Sequence, residues 1–165
     1  MTSVIAVDPG LKGAVVAYDG AFLVLWDIQT VTEKKKTRVH LGALLSRMRQ
    51  LAMHADAHDI VVENVSVMPR QGLSSAFNFG FTVGAIHMAA EAVALDIHKV
   101  TPPTWKFGVG LNAVPGQDLK ARKNASRARA TELFPQYAEL FARVKDDGRA
   151  EAALMAWWFV HKKSH

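Results

Sequence analysis

Four carboxylates are the residues in this chain whose placement could support catalysis. Asp8 closes the apolar run Val4-Ile5-Ala6-Val7, Glu63 closes Ile60-Val61-Val62, and Asp147 and Glu151 stand four positions apart at the start of a helical segment. Residues at i and i+4 share a helix face, so the last two can point the same way. Hard oxygen donors converging from several elements suit Mg²⁺. Two divalent ions about 4 Å apart can activate water and neutralise a leaving oxygen, which is what hydrolysis of a phosphodiester requires. Each acid also has an ordinary reading. Asp8 opens a tight Asp8-Pro9-Gly10 turn, and Glu63 fits a solvated strand end. Asp147 fits a helix N-cap and Glu151 a surface residue favoured by the helix dipole. Ala150 at the capping-box position, where Glu or Gln would sit, weakens the N-cap reading. The four together, in this order of strands and helix, favour a shared site.

The elements that must position them follow from pattern. Residues 4–7 read as a strand buried on both faces, with re-entry at 14–18 and a two-residue hairpin at Asp19-Gly20 before a strand at 22–26. Residues 30–37, tipped by Glu33-Lys34-Lys35-Lys36, read as a solvated loop, with a DNA-touching loop as the alternative. Apolar residues recur at helical spacing over 38–53, giving an amphipathic crossover helix. Residues 59–64 repeat the strand that ends in an acid, and 65–72 form a loop. A long helix is expected over 73–95, with Phe77, Phe81, Gly84, Ala85, Met88 and Ala92 along one face, a core helix on the ordinary reading. Gly80 and Gly84 also suggest a close packing partner, and with its exposed apolar surface this helix is the candidate contact for a second copy. A last strand at 97–100 leads to a helical turn opened by Pro102-Pro103 and carrying Trp105 and Lys106. Helices follow at 118–134, stopped by Pro135, and at 148–163, which carries Trp157, Trp158 and Phe159. Three antiparallel strands followed by strands separated by helical crossovers describe an α/β fold, a mixed sheet flanked by helices.

At 165 residues the chain is read as one domain. Half of its residues are hydrophobic and 21% are charged, which fits a globular class. It has no cysteine, so disulfides, thiolate metal sites and cysteine nucleophiles are excluded. No signal peptide or membrane span is visible, and a cytoplasmic location without membrane contact is expected. The net charge of +5 permits a polyanionic partner.

Three motifs, Ile5-Ala6-Val7-Asp8-Pro9-Gly10 with Gly13, Val61-Val62-Glu63, and Asp147-Gly148-Arg149-Ala150-Glu151-Ala152, resemble in order and separation those of the RuvC-like Holliday junction resolvases. The likeness is in particular to the bacteriophage versions, on the ribonuclease H-like fold, and it runs from residue 4 to about 160. The resemblance implies a five-stranded ribonuclease H-like sheet and Asp8, Glu63, Asp147 and Glu151 as metal-binding catalytic acids. It also implies Mg²⁺ as cofactor with Mn²⁺ substituting, branched DNA as substrate, and a homodimer making paired cuts. Resolvases often separate the last two ligands by three positions and sometimes use His. Here the spacing is four and Asp146 adjoins Asp147, so both aspartates are candidates. Lys106 and Lys123 resemble basic residues flanking the cleft, with exposed solubilising lysines as the ordinary alternative. Lys120, Arg122, Lys123 and Arg127 are candidates for phosphate tracking, although the cations of this segment cannot all share one helix face. Arg70 and Gln71 are candidates to approach a strand near Glu63, and Met68 is a candidate apolar wedge.

Three other readings stand beside this one. Another ribonuclease H-like nuclease would act on flaps, forks or RNA-DNA hybrids. A non-catalytic junction-binding module would not need four acids. An actin-like phosphotransferase also begins with a strand ending in Asp-x-Gly, but it needs two such domains, so no nucleotide cofactor is expected.

Overall fold

The structure is a computed structural model that describes residues 3–64, 72–112 and 114–162. At its centre lies β1 (Val4–Val7), every residue of which is buried. Alternation along a strand sends successive side chains to opposite faces. Val4 and Ala6 therefore enter one apolar cluster, and Ile5 and Val7 enter another. This is why an unbroken apolar run, rather than an alternating one, specifies the central strand.

β2 (Ala14–Tyr18) pairs antiparallel with β1, and β3 (Leu23–Asp27) pairs antiparallel with β2. On the other side β6 (Asp59–Glu63) runs parallel to β1, and β7 (Asp96–Val100) runs parallel to β6. The sheet order is β3-β2-β1-β6-β7, the mixed five-stranded arrangement expected of a ribonuclease H-like domain. The crossover between β1 and β6 passes through β2, β3, a small hairpin and α1 (Leu41–Ala55). α2 (Leu73–Glu91) joins β6 to β7. α1 and α2 cover one face of the sheet through Leu44, Met48, Leu51, Ala85, Ile86 and Ala89. The other face is covered by α5 (Asp147–Lys162), an alanine-rich helix whose Ala150, Ala152, Ala153 and Ala156 are fully buried. The short α3 (Pro102–Gly108), α4 (Leu119–Leu133) and two 3-10 turns (Pro135–Phe141 and Val144–Asp146) complete that side.

Several elements differ from the sequence expectation. The segment expected as a solvated loop forms a second sheet, β4 (Thr30–Glu33) against β5 (Lys36–Val39). Lys34 and Lys35 make its two-residue turn with φ of 47° and 64°, left-handed values that propensity assigns to Asn or Gly. α1 accordingly begins at Leu41 rather than at 38, with His40 as a side-chain N-cap accepting from the Ala43 N–H. The β2–β3 connection is four residues long, not two, because the Asp19 carboxylate accepts from the N–H groups of Ala21 and Phe22. The stripe on α2 that carries Phe77, Phe81 and Met88 faces outward, and Thr82, Ala85, Ile86, Ala89 and Ala90 make the buried face instead. Among the described residues, no helix is long and apolar enough to cross a membrane.

Candidate active site

Parallel pairing in the register Val7↔Val62 brings β1 and β6 to the same end of the sheet, so Asp8 and Glu63 emerge side by side. Asp8 has the parity of Val4 and Ala6, and Glu63 that of Val61, so both belong to the face covered by α5. The start of α5 is laid across this end by two glycines. A Cβ on Gly148 would stand 2.6 Å from the Lys12 carbonyl oxygen and 2.8 Å from Asp8 Oδ2. A Cβ on Gly13 would stand 2.0 Å from the Asp8 carbonyl oxygen. Glycine at both positions allows the helix to touch the turn, which delivers Asp147 and Glu151 to Asp8.

The electrostatics express this convergence. The Asp8 carboxyl is pushed up to about 7, first by burial and then by the charges of Glu151, Glu63 and Asp147. The Gly10 N–H, donating to Asp8 Oδ1 at 3.3 Å, opposes this. Glu63 is likewise raised, mainly by burial, while the indole N–H of the fully buried Trp105 donates to it at 2.9 Å and holds the shift back. Glu151 receives Lys106 Nζ at 3.0 Å and the Ser126 hydroxyl at 3.1 Å. Asp147 is ion-paired with Lys123, whose ammonium it holds above the ordinary lysine range. Four acids positioned by β1, β6 and α5 thus meet two lysines from α3 and α4, which pair with Glu151 and Asp147.

Among the described residues, no three Asp, Glu, His or Cys side chains stand close enough in this arrangement to enclose one ion. The donor chemistry fits a divalent cation all the same. Glu151, Glu63 and Asp147 all act against the charge on Asp8, and Glu151 and Asp147 are turned onto ammonium groups. A small divalent ion relieves the same repulsion with the oxygen ligands it prefers.

The remaining site candidates separate. The Asp146 carboxylate is 2% exposed and is gripped by Arg143 through its N–H at 2.9 Å and its guanidinium at 2.9–3.2 Å, with Arg149 at 3.7 Å. It faces these arginines, and of the two adjacent aspartates it is Asp147 that couples to Asp8. On α4, Lys120 and Arg122 are exposed, the latter closing onto the Gln117 carbonyl. Arg127 donates to the Ala142 carbonyl and to Asn124, so it ties α4 to the following 3-10 segment. Met68, Arg70 and Gln71 lie outside the described residues. Sequence reasoning missed Trp105 and Ser126 as supports of Glu63 and Glu151. Ser126 follows Lys123 by three positions, so helix periodicity would have placed it on the same face once Lys123 was suspected. Trp105 carried no comparable signal, because its partner lies 42 residues away in sequence.

Fold and site together define a ribonuclease H-like α/β domain with an acidic cluster at the carboxyl ends of its parallel strands. Comparison with solved structures narrows the architecture to that of RuvC. Thermus thermophilus RuvC in complex with Holliday junction substrate superposes with a TM-score of 0.61 at 14% identity, covering 99% of this chain and 96% of that one. A second structure of Thermus thermophilus RuvC gives 0.58 at 15% identity, covering 98% and 97%. The likeness at these identities is one of fold, over nearly the full length of both chains. No protein-family model matches the chain, and no curated protein matches it in sequence.

Proposed function

We propose that this protein is a Mg²⁺-dependent, structure-selective DNA endonuclease that resolves four-way junctions by paired phosphodiester hydrolysis as a homodimer. The observation that carries the reading is the convergence of Asp8, Glu63, Asp147 and Glu151 at one end of the sheet, where burial and the three neighbouring charges raise the Asp8 carboxyl to about 7. Near full-length likeness to a RuvC solved with a Holliday junction favours branched DNA over other nucleic acids.

Asp8, Glu63, Asp147 and Glu151 would hold the cations, with Mn²⁺ able to substitute. Divalent ions bound there supply Lewis acidity that activates water and offsets charge on the leaving oxygen. Trp105 and Ser126 fix the orientation of Glu63 and Glu151, so the donor set is preorganised. Lys106 and Lys123 bring two ammonium groups to the same cleft, where they bind the substrate phosphate and stabilise charge growing on its oxygens. The products are 5′-phosphate and 3′-hydroxyl ends. Lys120 and Arg122, exposed on α4, extend the basic surface along the strand.

Two equivalent strands of a junction call for two sites related by a two-fold axis. α2 supplies the surface for it. Leu73, Phe77, Phe81 and Met88 are exposed at helical spacing, and a Cβ on Gly80 or Gly84 would meet nothing within 4 Å. A second copy of the same helix covers this apolar stripe, with the glycines allowing close approach.

The test is a cleavage panel of four-way junction, flap and linear duplex, each with Mg²⁺ and with chelator. The proposal expects paired, symmetric cuts in the junction that disappear with chelator. Equal cutting of linear duplex, or cutting that survives chelation, would overturn it.

A further inference from the structure

The β4–β5 hairpin is rooted at the acidic end of the sheet. β3 ends at Asp27, which pairs with Ala14, whose carbonyl accepts from the Asp8 N–H. Ile28 then donates to the Gly13 carbonyl and His40 to the Gln29 carbonyl, closing the base of the hairpin. The first turn of α5 is clamped to the same root by Arg149, which grips the Asp27 carboxylate with two hydrogen bonds. From this root two four-residue strands run to Lys34 and Lys35, about 13 Å at the usual rise per residue. Lys34, Lys35 and Lys36 are all exposed. Glu33, the hairpin's own acid, is engaged by Arg38 across the strands, and a Thr32–Thr37 hydroxyl pair at 2.9 Å stiffens the stem. Among the described residues, no carboxylate is ion-paired with the three lysines.

The turn is the informative part. A two-residue hairpin turn with both residues at positive φ is satisfied most cheaply by Asn-Gly, and lysine there is strained. Folding alone would favour Asn, Asp or Gly at these two positions, so the lysines need a reason outside the fold. We infer that the Lys34-Lys35-Lys36 tip is a phosphate-contacting arm, which grips the backbone of a DNA duplex arm outside the cleft that holds the acids. The arm rests on the nuclease reading and adds to it a second, sequence-independent contact. It fixes the duplex at a set distance from the cut and plays no part in the chemistry. Each lysine that neutralises a phosphate releases counterion and steepens the dependence of binding on salt.

The test compares wild type with Lys34→Asn/Lys35→Gly, a pair of substitutions that removes two charges while giving the turn its preferred residues. Four-way junction binding is titrated from about 50 to 200 mM salt with Ca²⁺ in place of Mg²⁺, and single-turnover cutting is measured at saturating junction with Mg²⁺. The expected result is a log–log salt slope shallower by about 2, weaker binding, an unchanged cutting rate once bound, and an undiminished melting temperature. Lys34→Arg/Lys35→Arg should keep the wild-type slope. An unchanged slope in the Asn-Gly variant, or weaker binding without a change of slope, overturns the arm. Wild type that leaves the junction uncut in Mg²⁺ overturns the nuclease reading itself. Wild type that cuts, beside a variant of unchanged slope, overturns the arm alone.

Discussion

Lys123 occupies the position where the basic and acidic halves of the site meet. Its ammonium rests on Asp147, and both Glu151 and Asp8 add to the field that keeps it charged. Replacing it with alanine should lower the single-turnover cutting rate by about 100-fold at saturating junction, with partial recovery in Lys123→Arg. Asp146, one position before Asp147, is expected to behave differently. Burial pushes its carboxyl up, but hydrogen bonds from Arg143 and the charges of Arg149 and Arg143 outweigh this and hold it below the ordinary value. A folded pKa below the unfolded one contributes stability that is fully present above about 3.8 and is lost as pH falls through the folded value. Asp146→Asn should therefore cost about 2 kcal/mol at pH 7 in chemical denaturation, and the difference from wild type should shrink below pH 4. Its Mg²⁺-dependent cutting should stay within a few-fold of wild type, and a loss as large as that of Lys123→Ala would make Asp146 a ligand after all.

At the scale of elements, the site exists because α5 touches the turn after β1. Gly148→Ala tests that contact: the new methyl meets backbone at Lys12 and the Asp8 carboxylate, neither of which can swing aside. The expected loss is about 1–3 kcal/mol in unfolding free energy, with cutting reduced further because Asp147 and Glu151 are displaced with the helix. How much of this was legible in sequence depends on what kind of contact was involved. Asp8 and Glu63 could be read because an apolar run that stops at an acid marks a strand end, and Asp147 and Glu151 because i and i+4 share a face. The hairpin β4–β5 could not be read, since Lys34 and Lys35 adopt a backbone that composition assigns to other residues. Trp105 could not be assigned because its partner becomes a neighbour only through tertiary packing, whereas the spacing from Lys123 could have put Ser126 on the site's face. On α2 the sequence left two readings open, a core face and an exposed contact surface, because periodicity reports an apolar face but not whether this chain or another one covers it.

At the scale of the whole molecule, the proposed paired cutting needs two acidic sites facing two strands at once, and α2 is the surface proposed to relate them. Phe77→Glu, on a residue 74% exposed, should leave the fold and melting temperature of the protomer intact. It should also shift sedimentation from dimer toward monomer, and junction products from paired cuts to single nicks. Unaltered sedimentation and paired cutting would place the dimer contact elsewhere. A single cation site built from the four acids stands or falls at Asp8. Its carboxyl, raised from 3.8 to about 7, makes the folded state less stable above pH 7, with stability recovering as pH falls from there toward 4. Asp8→Asn should then melt higher than wild type at pH 8 in chelator, by about 2–6 °C. Saturating Mg²⁺ should stabilise wild type by about 2–3 kcal/mol and the variant far less. Paired measurements of Mg²⁺-dependent melting and junction cutting on the two proteins decide the matter. Asp8→Asn should lose both the Mg²⁺ shift and at least about 1,000-fold in cutting while it still binds the junction. A variant that keeps the Mg²⁺ shift and cuts at the wild-type rate would contradict the single cation site.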